Sequence, residues 1–254
     1  MLIRWFCMGI LCFWMLWTWP ATAAEVAPAD LLRAQEGLTT VLNRLNADCA
    51  RAADRLGQAG LTGKEARRTL GELCAAHPEA VDCAAVDPKG RMVAVEPAAR
   101  RVHEGVDISS QDHIIRLQKT RKPVLSRLFK SAEGLDAVSM EYPVFSPKRE
   151  FIGSVSVLIR PEALAKKGLG RGGEATVRVI QEEDGRILYS PDAREIGRTA
   201  PALPGTRLAD RFFSQATSEK NACSSKAESC GEPEAPRVMV ELHGTRWQLT
   251  PFAR

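Results

Sequence analysis

The sequence predicts an α+β protein in which a long N-terminal helix braces two modules with antiparallel sheets. Three observations predict this class: an apolar seam at helical spacing near the N-terminus, strand-like runs joined by short turns, and a loose internal repeat. The repeat aligns Val86–Gly105 with Ile180–Gly197, so that Gly90-Arg91 falls on Gly185-Arg186. Two copies of one hairpin unit indicate two related modules rather than one large enzyme core.

The first residues are typical of an export signal. Arg4 supplies a positive charge, Trp5–Trp19 an apolar stretch, and residues 21–24 a small-residue cleavage site. We expect residues 1–24 to be a cleaved signal peptide; an uncleaved N-terminal membrane anchor is the alternative, because the apolar run is nearly long enough to span a bilayer. The rest of the chain is therefore expected to be periplasmic or secreted.

The charge of the chain argues against nucleic acid as a partner. The 254 residues carry a formal net charge of +4, and the basic residues are spread along the chain and interleaved with acidic ones. This pattern lacks the basic stripe typical of a nucleic-acid-binding surface.

The cysteines are expected to meet an oxidising compartment. The chain has seven, and two of them lie in the predicted signal. Cys223 and Cys230 flank a short polar loop and are the best candidate pair for a disulfide. Three more lie upstream: Cys49, Cys74 and Cys83. One of these remains unpaired or bonds another chain, and Cys83, at a strand start, can meet either of the other two. Buried unpaired thiols are the alternative for Cys49 and Cys74.

The predicted long helix covers residues 25–60, with Asp30 as its N-cap. Its apolar residues recur at steps of three and four, which places them on one face: Leu38, Leu42, Leu45, Cys49, Ala52 and Leu56. From Asp30 to Gln58 the helix would run about 40 Å, long enough to brace two modules. A dimerising coiled coil is the alternative interpretation of the same seam.

The first predicted module follows this helix. Thr62–Glu65 has the pattern of a capping box and opens a second helix that ends before Pro78. Ser109 or Ser110 is expected to cap a short helix that continues through Lys119. The strand-like runs are bounded by turn residues: Val81–Val86, Arg91–Glu96, Val124–Phe129, Ala137–Phe145 and Phe151–Ile159.

The second predicted module is smaller. Pro161–Gly173 is expected to be a short helix followed by a glycine-rich linker. A further helix is predicted over Leu208–Thr217. Four strands are predicted: Thr176–Gln181, Ile187–Ser190, Arg237–Leu242 and Thr245–Thr250, the last two around a turn at His243-Gly244.

Patterns typical of enzymes are weak in this chain. Gly168–Gly173 matches G-x-G-x-x-G by letter, but it follows a helix and precedes a strand, so no helix N-terminus faces a phosphate. The sequence has no G-x-S-x-G motif, and Asp112-His113 lacks a further metal ligand at helical spacing. We therefore expect a protein that is not an enzyme and has no cofactor or metal.

A group of polar residues gives the best candidate site. Ser139 and Glu141 alternate along one predicted strand, and Ser154 and Ser156 along the next, so each pair shares a sheet face. A loop and helix with His113 and Arg116 precede them. Such a face either holds a small polar ligand or is a solvated outer surface, and the pattern leaves both interpretations open.

These segments resemble a known family. D-I-S-S-Q-D-H-I-I-R-L, T-R-K-P-V-L-S-R-L-F, D-A-V-S-M-E-Y-P-V-F and F-I-G-S-V-S-V-L-I are similar to the Cache superfamily of extracytoplasmic sensor domains, over about residues 29–159 and more weakly over 176–250. The resemblance implies a double Cache architecture, with the long helix spanning two PAS-like modules: a membrane-distal, ligand-binding module over 61–165 and a second one over 174–254.

The resemblance also implies a function and a position for the ligand. The implied function is small-molecule sensing in signal transduction, as in chemotaxis, through a separate membrane receptor, kinase or transporter. A solute-capture protein for a transporter, or a ligand-free adaptor, is the alternative. Arg116 or Arg121 would pair with a ligand carboxylate, and an amine is the other expected ligand chemistry. The implied ligand-binding residues are His113, Arg116, Arg121, Ser126, Ser139 and Glu141.

Overall fold

The computed structural model of the protein describes residues 28–200 and 236–252. The predicted signal peptide, the predicted helix over Leu208–Thr217 and the Cys223–Cys230 pair lie outside these residues. The α-helices are α1 (Pro28–Ala59), α2 (Gly63–Ala76), α3 (Asp112–Thr120) and α4 (Pro161–Gly173), and 3₁₀ turns cover Ala98–His103 and Ala193–Glu195. Within the described residues, none of the helices has the length and apolarity needed to cross a membrane.

The strands form two antiparallel sheets. The first sheet has the order β2-β1-β6-β5-β3, with β4 also paired to β5; the second has the order β8-β7-β10-β9. The first-sheet strands are β1 (Ala80–Val86), β2 (Met92–Glu96), β3 (Val124–Leu125), β4 (Phe129–Lys130), β5 (Asp136–Phe145) and β6 (Phe151–Ile159). The second-sheet strands are β7 (Val177–Gln181), β8 (Ile187–Tyr189), β9 (Val238–Leu242) and β10 (Thr245–Pro251).

Helix α1 packs against both sheets through its predicted seam. Its leucines at 38, 45 and 56 are fully buried, and they share one core with residues of β5, β6, β7 and β10. This arrangement follows from the spacing of three and four, since such residues fall on one side of a helix. The helix is 32 residues long, and its seam is covered by α2, α4 and strands of both sheets.

The glycine-rich segment belongs to helix α4, so the prediction that the helix ends before it is wrong; its role as a connection between two modules stays a prediction. Gly170 alone departs from helical geometry, with a φ of 64° at a kink. The glycines instead allow α4 to approach α1: a Cβ on Gly37 would lie 2.1 Å from the carbonyl oxygen of Gly168, and a Cβ on Gly168 would lie 2.7 Å from the Cα of Leu38. The low helix propensity of glycine favoured a loop at this position. The structure instead shows that the glycines are needed for the close packing of α1 and α4.

The internal repeat corresponds to a repeated piece of backbone structure. In both copies a hairpin with a positive-φ glycine is followed by a 3₁₀ turn. The Arg91 guanidinium donates to the carbonyl oxygen of Gly105 at 2.6 Å, and Arg186 makes the same contact with Gly197 at 3.2 Å. The aligned arginines therefore close equivalent loops.

Three local predictions are corrected. Thr62 is the N-cap of α2 but its side chain makes no capping hydrogen bond, so the predicted capping box does not form. Gln111, rather than Ser109 or Ser110, precedes α3. The predicted strand Val124–Phe129 is divided into β3 and β4, because the Leu128 amide donates to the side chain of Gln181 in the second sheet, at 2.8 Å, instead of to a neighbouring strand.

A chain of charged and polar groups, buried at His77 and Glu79, joins three helices to the first sheet. His77, the C-cap of α2, lies 2.9 Å from Asp48 of α1 through Nε2 and 3.1 Å from Glu79 through Nδ1. Both carboxylate oxygens of Glu79 accept from Lys167 of α4 at 2.9 Å. Burial alone would raise the pKa of Glu79, but the hydrogen bonds from His77 and Lys167 hold it at about 2.

Polar contacts also join the two sheets. Asn46 of α1 accepts a hydrogen bond from the Tyr142 hydroxyl of β5 at 2.8 Å, and its Oδ1 lies 2.5 Å from Nε2 of His243, in the β9–β10 turn. The Thr245 hydroxyl donates to the carbonyl oxygen of Leu125 at 2.7 Å. Helix α1 and both sheets are thus fixed to one another by hydrogen bonds as well as by the common core.

Candidate functional site

A small pocket lies on the face of the first sheet that is turned away from α1. Strand alternation separates the two faces: Val138, Met140 and Val157 enter the core with α1, so Ser139 and Ser156 lie on the opposite side. Helix α3 and the turn between β4 and β5 cover that side. The lining residues are Asp82, Met92, Ile108, Gln111, His113, Phe129, Ser131, Ala132, Glu133, Ser139, Ser156 and Leu158.

The pocket is narrow in its present conformation. The space open to the centre of a water molecule is about 20 Å³, which corresponds to one or two waters. The β4–β5 turn, which contributes residues 131–133 to the wall, is a short hairpin closed by the hydrogen bond from the Ser131 amide to the Leu135 carbonyl oxygen at 2.8 Å. A ligand of amino-acid size therefore requires this wall to move outward.

Asp82 is the most unusual group in the pocket. Its side chain is almost fully buried, at 1% exposure, and its Oδ2 has no hydrogen-bond partner among the described residues. Burial raises the pKa of Asp82 to about 7, with further contributions from the charge of Glu133 and a hydrogen bond to it. A buried carboxylate with a free oxygen is costly unless a cation or donor meets it.

Glu141 lies beneath the pocket in a cradle of serine hydroxyls. It is fully buried, Ser139 Oγ donates to its Oε1 at 2.9 Å, and Ser154 Oγ donates to its Oε2 at 3.2 Å. Burial raises the pKa of Glu141 to about 7, although the serine hydrogen bonds oppose the shift. The cradle therefore holds a carboxyl group that titrates near neutral pH.

His113 forms one wall of the pocket. The residue is 3% exposed, its ring centroid lies 4.6 Å from that of Phe129, and its Nε2 is 3.8 Å from Glu141 Oε1. Burial lowers the pKa of His113 to about 4, with Asp112 opposing and Arg116 supporting the shift. The imidazole is therefore neutral at neutral pH and can donate or accept one hydrogen bond.

The structure brings some of the predicted site residues together. His113 and Ser139 line the pocket, and Glu141 supports it from below. Ser126 lies one step away, where its hydroxyl accepts from the Ser139 amide at 2.7 Å. These placements agree with the alternation used to predict them, while their role towards a ligand stays a prediction.

The predicted arginines lie elsewhere. Arg116 is half-buried on α3, with Nη1 3.8 Å from Asp112, and Arg121 follows α3 with its guanidinium carbon 3.6 Å from the centroid of the Phe151 ring. Among the described residues that line the pocket, none is Lys or Arg. A carboxylate-pairing role for these two arginines therefore has no support from the pocket's lining.

Sequence reasoning missed the acids on the pocket wall, Asp82 and Glu133. Asp82 is an isolated acid inside the otherwise apolar run A-V-D-C-A-A-V, which is a usable signal because a lone charge in a buried strand needs a partner. Glu133 lies in a turn, where an acidic residue is common and carries no such signal.

Glu141→Gln is expected to reduce the pH dependence of stability between about pH 5 and pH 7. The folded protein keeps a proton on Glu141 up to about pH 7, while the unfolded chain releases it near pH 4.3. The free energy of unfolding therefore falls as the pH rises through this window, by about 1.4 kcal/mol per pH unit for one such proton. Glutamine removes that proton, and Asp82 retains a part of the slope.

Urea denaturation at about pH 5 and about pH 7 measures how the free energy of unfolding of each variant depends on pH. Asp54→Asn, at an exposed position on α1, is the matched control and should keep the wild-type slope. A Glu141→Gln protein with the wild-type slope would show that Glu141 is already ionised at pH 5 in the folded state.

Comparison with known proteins agrees with the fold described above, in which a long N-terminal helix packs against antiparallel sheets. Residues 40–161 match a family model described as "HK/GC/Chemotaxis protein-like, sensor domain", a stretch that runs from α1 through β6, the last strand of the first sheet. No curated protein matches the sequence.

Several solved structures share the fold. An extracellular ligand binding receptor from Desulfohalobium retbaense is 32% identical with a TM-score of 0.70, over 87% of this chain and 39% of that one; the chain thus spans about two fifths of that receptor's length. The ligand-binding domain of the Pseudomonas aeruginosa amino acid chemoreceptor PctC, in complex with GABA, has a TM-score of 0.60 at 13% identity, over 89% and 97% of the two chains.

A third structure has the same character. The ligand-binding domain of the Pseudomonas fluorescens chemoreceptor CtaA, in complex with L-isoleucine, has a TM-score of 0.54 at 14% identity, over 87% of each chain. At identities of 13% and 14%, the similarity to these two chemoreceptor domains shows a common fold and nothing more. The match of residues 40–161 to a sensor-domain model of the HK/GC/chemotaxis type agrees with the resemblance to the Cache superfamily found in the sequence.

Proposed function

We propose that this chain is a periplasmic sensor that binds a small ligand bearing a cationic amine in the pocket over the first sheet. The observation that carries the proposal is Asp82: a carboxylate at 1% exposure with an unpartnered oxygen, in the wall of the pocket. Glu133 adds a second carboxylate to the same wall. An ammonium group would supply a positive charge to this wall and a hydrogen-bond donor to the unpartnered oxygen of Asp82.

The electrostatics favour an amine over a simple carboxylate ligand. The two acids on the wall, Asp82 and Glu133, repel an anion and stabilise a cation when they are ionised. Charge-assisted hydrogen bonds in a site shielded from water are stronger than neutral ones. GABA and L-isoleucine, named with the two chemoreceptor domains of similar fold, both carry an amine.

The remaining parts of the proposal concern organisation and signalling. Residues 1–24 direct export, residues 61–165 form the ligand-binding module, and residues 174–254 form a second module of the double Cache type. Support comes from the repeated hairpin and from α1, which packs against both sheets. The bound state would be reported to a separate membrane receptor, kinase or transporter by a shift between two conformations.

Titration calorimetry with matched ligands tests the ligand chemistry. The full chain is titrated with GABA and, separately, with butyrate, which lacks only the amine, and then with L-isoleucine and small diamines. We expect binding by at least one amine and none by the acid that lacks it. Binding of butyrate with the same affinity as GABA, or of organic acids alone, would contradict the proposal.

Asp82→Asn is expected to lower the affinity for that amine at least tenfold, because the amide keeps the shape and removes the charge. Asp54→Asn, on the exposed side of α1, is the control. The affinity of the wild type should also fall by up to tenfold per pH unit below about pH 7, since Asp82 must lose its proton to meet a cation. A pH-independent affinity together with an unaffected Asp82→Asn variant would exclude Asp82 as the anchor.

A further inference from the structure

Three cysteines of the described chain lie where α1, α2 and β1 meet. Cys49 of α1 and Cys83 of β1 are fully buried, whereas Cys74, in the last turn of α2, is partly exposed. Cys74 is therefore the entry point for a reagent that reaches this group from solvent.

The backbone places Cys74 and Cys83 side by side. The Cys74 thiol donates to the carbonyl oxygen of Glu96 at 3.4 Å, and Glu96 on β2 is the residue directly paired with Cys83 on β1. Paired residues on antiparallel strands lie about 5 Å apart. Cys83 shares the helix-facing core with Leu70 and Leu73 of α2, and Cys74 packs against the same core. Burial raises the pKa of Cys83, and the neighbouring Cys74 thiol adds to the shift.

We propose that Cys74 and Cys83 form a disulfide when the protein meets a disulfide oxidant, and that Cys49 stays reduced. Cys49 is fully buried, behind helix α2, which carries Cys74, and strand β1, which carries Cys83. The proposal does not depend on the ligand proposed above.

The reaction is a thiol–disulfide exchange in two steps. The Cys74 thiolate attacks one sulfur of the oxidant's disulfide, which forms a mixed disulfide and releases the first thiol. The Cys83 thiolate then attacks the Cys74 sulfur, which closes the protein disulfide and releases the second thiol. The two cysteines lose two electrons, and the oxidant gains them as two thiols that carry the two protons. Burial raises the pKa of Cys83, so the second step is expected to be the slower one.

The bond would fix the end of α2 to the strand beneath the pocket. Cys83 follows Asp82 directly on β1, and neighbouring residues of a strand point to opposite faces. The disulfide would therefore hold, from the core side, the backbone that positions the pocket's buried carboxylate.

Peptide mass spectrometry tests the pairing without any substitution. The full chain is incubated with glutathione disulfide, free thiols are blocked with iodoacetamide, and the protein is digested with trypsin. Cys74 and Cys83 both fall in the peptide Thr69–Lys89, while Cys49 falls in Leu45–Arg51. We expect Thr69–Lys89 to be lighter by two hydrogens and to carry no blocking group, and Leu45–Arg51 to carry one.

Three other outcomes would overturn the proposal: Thr69–Lys89 with two blocking groups, a glutathione adduct trapped on Cys74, or a cross-link between the two peptides. A second measurement compares melting temperatures. Dithiothreitol should lower the Tm of the oxidised wild type and of oxidised Cys49→Ser. In both proteins the decrease should exceed the decrease in Cys74→Ser by about 5 °C. An equal decrease in Cys74→Ser would place the responsible disulfide elsewhere and overturn the pairing.

Discussion

Gly37→Ala is expected to lower the free energy of unfolding by about 3 kcal/mol or more. The added Cβ would lie 2.1 Å from the carbonyl oxygen of Gly168, far inside van der Waals contact. That oxygen belongs to the backbone of α4, so it cannot swing aside as a side chain would. Relief requires α1 and α4 to separate, which loosens the core shared by Leu38 and Leu164.

Gly71→Ala is the matched control for this substitution. Gly71 also lies inside a helix, α2, but a Cβ there meets no atom within 4 Å. The change should raise stability by about 0.5–1 kcal/mol, because alanine is the better helix former. Urea denaturation of both variants measures the pair. If Gly37→Ala and Gly71→Ala had the same free energy of unfolding, α1 and α4 would not approach as closely as described.

Lys167→Met is expected to cost about 2–3 kcal/mol at neutral pH. The substitution leaves the carboxylate of Glu79, whose side chain is 2% exposed, with His77 as its remaining side-chain partner. Removing one member of a fully buried pair costs about 3–5 kcal/mol; the expected cost is smaller here because the Lys167 side chain is 35% exposed and solvent screens its charge.

The pH dependence separates this charge effect from lost packing. The pKa of Glu79 is lowered to about 2, so its contribution is complete above the unfolded value near 4.3 and is lost as the pH falls through this interval. The difference between wild type and Lys167→Met should therefore shrink towards pH 2. Lys166→Met, at the exposed neighbouring position, should change stability little at any pH. A cost that persists unchanged at low pH would identify lost packing as its cause.

Most of the secondary structure follows from periodicity alone. Helix α1 was predicted within residues 25–60 with Asp30 as its N-cap; it covers Pro28–Ala59, so the cap prediction is wrong and Asp30 lies in the first turn. Strand β6 has the predicted bounds Phe151–Ile159. Helix α1 buries a continuous seam, and β6 alternates serine and apolar residues over Ser154–Val157, so local pattern and tertiary packing agree. The glycine-rich part of α4 was mispredicted because its helical state depends on contact with α1, which no local window contains.

The site was predictable in part for the same reason. Alternation on β5 and β6 placed Ser139, Glu141 and Ser156 on one face, and the structure confirms that placement. The contribution of Asp82 depends on the pairing of β1 with β6, which sets Asp82 opposite Leu158. That neighbour is distant in sequence, and spacing within either segment cannot specify it.

The first sheet connects the pocket directly to helix α1. Residues that line the pocket and residues that pack against α1 alternate along the same strands. On β1, for example, Asp82 lines the pocket and Cys83 belongs to the core shared with α1. A bound ligand that displaces one of these strands is therefore expected to displace the leucine seam of α1 as well, because close-packed side chains transmit displacement. The shortest path from the pocket to the 32-residue helix is thus the thickness of one sheet, and it involves no flexible loop.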